Sequence, residues 1–86
     1  MTIVGFEKVR YTSKNTGKEV EGFRFHCTDQ SERKNFVGMS TFSEFVSDQV
    51  GRELLRNFST DDEVLGQIVE FRYNRFGRVS EIEIVS

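Results

Sequence analysis

Aromatic and cationic side chains alternate near the carboxyl end of the chain. Phe76 lies between Arg75 and Arg78, and Arg72 and Tyr73 precede them. Proteins that bind single-stranded nucleic acid combine cations, which pair with phosphates, with aromatic rings, on which bases stack. This segment therefore predicts a surface for a single strand, and the alternative is that Phe76 folds back to cap the core.

A second group of cations lies in the first third of the chain. Lys14 and Lys18 belong to the loop SKNTGK, and Arg24 and His26 share one face of an alternating strand. Each also has a simpler interpretation as an ordinary solvated charge or a cross-strand ion pair. The candidate nucleic-acid-binding residues are Lys14, Lys18, Arg24, His26, Arg72, Tyr73, Arg75 and Phe76.

Catalytic and metal chemistry lack the residues they need. His26 and Cys27 are the one histidine and the one cysteine of the chain, and successive strand residues point to opposite faces. Neither a zinc site nor a nucleophile–base pair can be assembled from them. We therefore expect no enzymatic activity, no metal and no cofactor.

Composition favours one small folded domain, residues 1–86, with 36% hydrophobic residues and nine phenylalanines. The single cysteine and the polar amino terminus predict a cytoplasmic protein. No apolar run approaches the ~20 residues that span a bilayer, so no membrane association is expected. The net charge of −2, with six Asp/Glu against two Lys/Arg over residues 37–65, weakens the case for binding a polyanion.

Hydrophobic periodicity predicts five strands and one helix. The slip in alternation near Gly5 predicts a bulge in the first strand. Capping-box spacing at Thr41 and Glu44 allows an early helix start, whereas Ser47 offers a later one, which we prefer. Charged and acidic turns are expected over Asp29–Lys34 and Ser59–Gly66. The predicted strands are Thr2–Tyr11, Glu19–Thr28, Asn35 to about Val46, Gln67–Tyr73 and Arg78–Val85, and the helix is Ser47–Asn57.

This order predicts a mainly β fold, a five-stranded OB-like Greek-key barrel with one short helix between strands 3 and 4. In such barrels the ligand lies across strands 2 and 3, between the loops that join strands 1–2 and 4–5. Those loops here are SKNTGK and NRFG, which carry several of the cations above. An SH3-like barrel and a flat α+β meander are the alternatives.

Three segments also carry a family resemblance. GKEVEGFRFHCTD, VGMSTFSEFVSDQV and IVEFRYNRFGRVSEIEIV resemble small OB-like proteins of bacteriophages and conjugative elements, most specifically at Tyr73–Gly77 (YNRFG). The resemblance implies a fold akin to the single-stranded DNA-binding proteins of filamentous phages, which coat DNA as dimers. The acidic stretch over residues 42–65 departs from a typical coating protein.

Two functions therefore remain open. The first is a single-stranded nucleic-acid-binding module of a phage or mobile element. The alternative is a protein-interaction or assembly module with the same fold, as a homodimer or with another protein, in which the phenylalanines cover an interface. The feature that discriminates between these two functions is Phe76, which is either an exposed residue for stacking or a plug of the barrel.

Overall fold

A computed structural model describes residues 1–30, 35 and 37–85, with residue 30 described by its backbone alone. It contains five strands, one α-helix and one short 3-10 helix. Their order is β1 (Thr2–Thr12), β2 (Glu19–Gln30), β3 (Met39–Ser47), α1 (Asp48–Leu55), the 3-10 helix (Asp61–Val64), β4 (Val69–Tyr73) and β5 (Val79–Ile84). The predicted order of five strands with a helix between the third and fourth is confirmed.

The first three strands form an antiparallel meander in the order β1-β2-β3. The register of β1 against β2 shifts between Ile3 and Gly5, which confirms the predicted bulge. Strand β2 alternates as expected: Phe23, Phe25 and Cys27 are buried on the inner face. The charged turn predicted over Asp29–Lys34 falls largely on residues 31–34, outside the described part of the chain.

Ser47 ends β3 and begins helix α1. Its backbone is extended, and its hydroxyl accepts a hydrogen bond from the Val50 amide at 3.3 Å. This N-cap satisfies an amide that has no partner within the helix. The later of the two predicted helix starts is therefore confirmed. The helix ends at Leu55, two residues before the predicted end at Asn57. Asn57 belongs to a following turn, in which its backbone amide donates a hydrogen bond to the Leu54 carbonyl.

The last two strands form a separate antiparallel hairpin. Asn74 holds its tip, because the side-chain oxygen accepts from the amides of Phe76 at 2.9 Å and Arg78 at 3.1 Å. Gly77 supplies the positive φ of 78° that closes the turn. A register shift between Arg72 and Tyr73 changes the alternation just before the tip.

The closed barrel that the sequence predicted is not formed over the described residues. The meander and the hairpin join at one seam, through the bridge between Thr2 and Ile68 and the hydrogen bond from the Ile3 amide to the Gln67 carbonyl. Across the opposite seam, between β3 and the hairpin, no strand pairing is present in this part of the chain. Side chains bridge it instead, through the bond from the Tyr73 hydroxyl to Glu44 at 2.9 Å.

The two sheets and the helix enclose one cluster of buried apolar residues. Gly51 lets α1 approach the meander, because a Cβ at this position would meet the Phe23 ring at 2.2 Å. The segment predicted as an acidic loop forms the 3-10 helix and buries Val64 completely. The buried residues are Ile3, Phe23, Phe25, Cys27, Val46, Leu54, Val64, Val69, Phe71 and Val79. No helix within the described residues is both long and apolar enough to cross a membrane.

Candidate nucleic-acid interface

An open cleft of about 920 Å³ lies between the loop that joins β1 to β2 and the tip of the β4–β5 hairpin. Strand β3 and the start of α1 complete its walls. These are the two loops that the sequence predicted would flank a ligand. The cleft is lined by Tyr11, Ser13, Asn15, Thr16, Val20, Glu21, Glu44, Phe45, Ser47, Val50, Asn74, Gly77, Arg78, Val79 and Ser80.

Two exposed aromatic rings meet within this cleft. Tyr11 and Phe45 lie edge to face, with their centroids 6.0 Å apart, although they belong to β1 and β3. Tyr11 is 48% exposed and Phe45 is 36% exposed. Rings that are packed on one side and open to solvent on the other are suited to stacking against a flat ligand.

Gly22 on the intervening strand makes this contact fit sterically. A Cβ on Gly22 would lie 2.6 Å from Cζ of Phe45 and 2.3 Å from the Val46 carbonyl oxygen. Any larger residue would therefore displace the Phe45 ring from the surface of the sheet. The absence of a side chain at Gly22 leaves the ring lying across β2, toward Tyr11 on β1.

Cations occupy both loops beside the cleft. Lys14 and Lys18 lie in the first loop, and Arg75 and Arg78 lie in the second; Arg78 also lines the wall. The ion pairs formed among the described residues include none of these four. Their charges are therefore not neutralised by a described carboxylate in direct contact, and they are free to pair with an anionic ligand.

Arg24 and His26 lie on the outer face of β2, as predicted. Arg24 is directly opposite Phe45 in the β2–β3 register, so the two residues share the outer face, although Arg24 does not line the cleft. Its Nη1 bonds Glu7 at 3.1 Å, and the same carboxylate oxygen lies 4.0 Å from His26 Nε2. Exposed pairs of this kind contribute roughly 0–1 kcal/mol, so a phosphate can compete for Arg24.

The remaining predicted residues do not converge on the cleft. Arg72 lies on the outer face of the hairpin and pairs with Glu83. Tyr73 lies at the seam, where burial and its bond to Glu44 raise the pKa of its phenol. Phe76 is 73% exposed at the hairpin tip, with the Arg75 guanidinium 4.9 Å from its ring centroid. It therefore does not plug the core.

Two carboxylates line the cleft, and one of them, Glu21, is compensated by an ion pair with Arg10. Glu21 is hydrogen-bonded by Arg10, and this bond lowers the pKa of the carboxyl, so Glu21 stays ionised. Glu44 accepts a hydrogen bond from the Tyr73 hydroxyl and lies on the inner face of β3, the face opposite to that of Phe45, although both residues line the cleft. The two carboxylates thus lie on the inner face of the meander and the two aromatic rings on its outer face, while the cations lie in the surrounding loops.

Tyr11 and Phe45 were not among the residues predicted from the sequence. The apolar spacing from Phe42 to Phe58 suits a helix as well as a strand, and that ambiguity concealed the direction of Phe45. Once β3 is taken to extend to Ser47, Phe45 alternates with the buried Val46 and must point outward. Strand parity was therefore the signal that could have identified it.

No family model, curated protein or solved structure matches this chain. The described residues contain no cluster of three or more His, Cys, Asp or Glu side chains placed to hold a metal ion.

Proposed function

We propose that the domain is a non-enzymatic module that binds single-stranded nucleic acid, with an OB-like arrangement of its five strands and helix. The observation that carries the proposal is the exposed Tyr11–Phe45 pair in a cleft between two loops that bear uncompensated cations. The strand order, the helix between β3 and β4, and the seam between β1 and β4 all suit an OB-like fold whose second seam is open.

In the proposed complex, one or two bases stack on the Tyr11 and Phe45 rings. The phosphodiester chain runs along the loops, where Lys14, Lys18 and Arg75 neutralise it. The carboxylate of Glu44, which lies on the inner face of β3, repels phosphate from the inner part of the cleft. This division places bases inside the cleft and phosphates outside it, which reconciles a net charge of −2 with binding to a polyanion.

The direct test is the fluorescence anisotropy of a labelled oligothymidylate of about 12 nucleotides, titrated with protein at several salt concentrations. We expect saturable binding whose log–log slope against salt is about −0.7 per phosphate contact. Phe45→Leu keeps the apolar volume and removes the stacking face. Loss of about 1–3 kcal/mol of stacking raises the Kd about 5- to 150-fold.

Matched controls separate the site from general effects. Phe58→Leu makes the same chemical change at a ring that packs against the core outside the cleft, and it should leave the Kd unchanged. Lys14→Gln should reduce the salt slope by about 0.7, whereas Arg56→Gln, directly after helix α1, should not. Absence of binding at about 50 mM salt would refute the nucleic-acid role and favour the protein-interaction alternative.

A further inference from the structure

A second groove, of about 490 Å³, lies beneath β1 and beside helix α1. Phe6, Phe23 and Leu55 form its apolar floor, and its edges carry Lys8, Arg52 and Arg56. It shares no lining residue with the cleft between the two loops. It is therefore a separate surface that the proposed nucleic-acid role leaves unused.

The edges of this groove are cationic in a protein that is acidic as a whole. Three cations line it against one carboxylate, that of Asp61. Arg52 is paired with Asp48 on its own helix, whereas Lys8 and Arg56 take part in none of the ion pairs among the described residues. Lys8 on β1 and Arg56 after α1 therefore border the apolar floor without a direct ion pair, although the charge of Lys8 also acts on the Glu21 carboxylate.

The placement of Lys8 is informative in its own right. Lys8 is directly opposite Phe23 in the β1–β2 register, on the inner face that also carries Phe6 and, toward the end of the strand, the exposed Arg10. Its ammonium group reaches solvent at the edge of the groove, since the residue as a whole is exposed. A cation on the core-facing side of an edge strand also discourages pairing with another strand. Lys8 thus favours a ligand that occupies the groove over one that extends the sheet.

The floor of the groove does not suit nucleobases. Phe23 is only 6% exposed and its ring lies against Gly51. The Phe6 ring packs between Phe23 and Phe25, with centroid distances of 6.3 and 5.6 Å. Neighbouring side chains cover the faces of these rings. The floor therefore presents apolar ring edges, which a side chain can contact, and no open ring face on which a base could stack.

We propose that this groove binds an acidic peptide segment of another protein, with one apolar side chain of that segment on the floor and its carboxylates paired with Lys8 and Arg56. Charge complementarity and the apolar floor select this partner. Since the groove and the cleft share no residue, the domain can hold the peptide and a nucleic-acid strand together. The proposal stands independently of the nucleic-acid role.

The probe for the test is a fluorescein-labelled peptide of three aspartates followed by leucine and phenylalanine, with a free carboxyl end. Two matched peptides replace the aspartates by serines or the apolar pair by alanines. We expect saturable anisotropy for the first peptide alone, weakened by salt. The double variant K8E/R56E should raise its Kd by about tenfold or more. Thermal unfolding confirms that the variant is folded, as expected for two exposed positions.

Amide chemical shifts locate the peptide. The proposal requires that the peptide shift the signals of Phe6, Lys8 and Leu55 and leave those of Asn74 to Gly77 unchanged. Equal binding of the serine peptide, shifts confined to the hairpin tip, or an unchanged Kd for K8E/R56E would each overturn it. Displacement of the peptide by oligothymidylate would also overturn it, because the groove would then be part of the nucleic-acid surface. Failure of the oligothymidylate titration alone would refute the nucleic-acid role and leave this proposal intact.

Discussion

Replacing Gly22 with alanine tests whether the close approach of β3 and the Phe45 ring to β2 is a real constraint. The intrinsic backbone preference favours alanine, because glycine within a strand lowers the free energy of unfolding by about 0.5–1 kcal/mol relative to alanine. Steric contact acts against it. The new Cβ would lie 2.3 Å from the Val46 carbonyl oxygen, and real Cβ contacts are essentially never below 3.0 Å. The two strands would have to separate by about 0.7 Å at this point.

Such overpacking costs about 1–3 kcal/mol, and the upper half of this range applies because the closest atom belongs to backbone. The net expectation is a loss of about 1–2 kcal/mol in the free energy of unfolding, which lowers Tm by about 5–15 °C in a domain of this size. The Phe45 ring, which would lie 2.6 Å from the Cβ, must also move, so oligothymidylate binding should weaken with it.

Chemical denaturation and thermal melting measure the stability, and the aromatic proton signals of Phe45 report the ring. Gly5→Ala is the matched control, because a Cβ there meets no atom within 4 Å and the variant should be at least as stable as the parent. A Gly22→Ala protein with parental stability and an undisturbed Phe45 environment would show that the contact described here is wrong.

Three further outcomes are expected. Gly51→Ala should lower stability in urea titrations even though helix propensity alone predicts a gain of about 1 kcal/mol, because the Cβ would overlap the buried Phe23 ring at 2.2 Å; a gain would refute this packing. Tyr73→Phe removes the hydroxyl that bonds Glu44 and should cost about 0.5–1.5 kcal/mol by the same measurement, with no loss pointing to a seam held by apolar contact alone. Burial raises the pKa of the Cys27 thiol to about 11, so the thiol should resist Ellman's reagent at pH 8 until the protein unfolds, and rapid reaction in the native state would contradict this. The free energy of unfolding gained by burying the neutral thiol is fully present below pH 9 and is lost as the pH rises from 9 to 11.

Local features of the fold could be predicted from the sequence because each rests on a short pattern. The alternation of Phe23, Phe25 and Cys27 identified the buried face of β2, and Ser47 with its extended backbone marked the start of the helix. The burial of Val64 was not predicted, because a single apolar residue after three acidic ones is typical of a solvated loop. Its burial depends on the 3-10 turn and on the sheet above it, which no local pattern specifies.

Contacts between residues that are far apart in the sequence were harder to predict. Barrel closure depends on whether β3 meets the hairpin through backbone or through side chains, and strand patterns look the same in both cases. Tyr11 and Phe45 are 34 positions apart in the sequence and meet in space above Gly22 of the intervening strand. Neither residue alone therefore indicates that the two rings form a pair. Strand order alone predicted that the loops carrying these cations lie on either side of one cleft, whereas Arg72 lies on the outer face of the hairpin because it alternates with the buried Phe71.

The seam without strand pairing has a mechanical consequence. Backbone bonds near Thr2 attach the hairpin at one end of the domain, while its tip is held across the other seam by the Tyr73–Glu44 bond and an edge contact between Phe42 and Phe71 at 6.5 Å. One hydrogen bond and one aromatic pair together amount to about 1–3 kcal/mol. Widening the gap between the hairpin tip and the opposite loop would break no strand ladder, but it would also expose Val79, which lies next to the tip and belongs to the buried core. In the proposed complex, such an opening would let a strand of nucleic acid enter from the side, at any point along its length, instead of being threaded from an end.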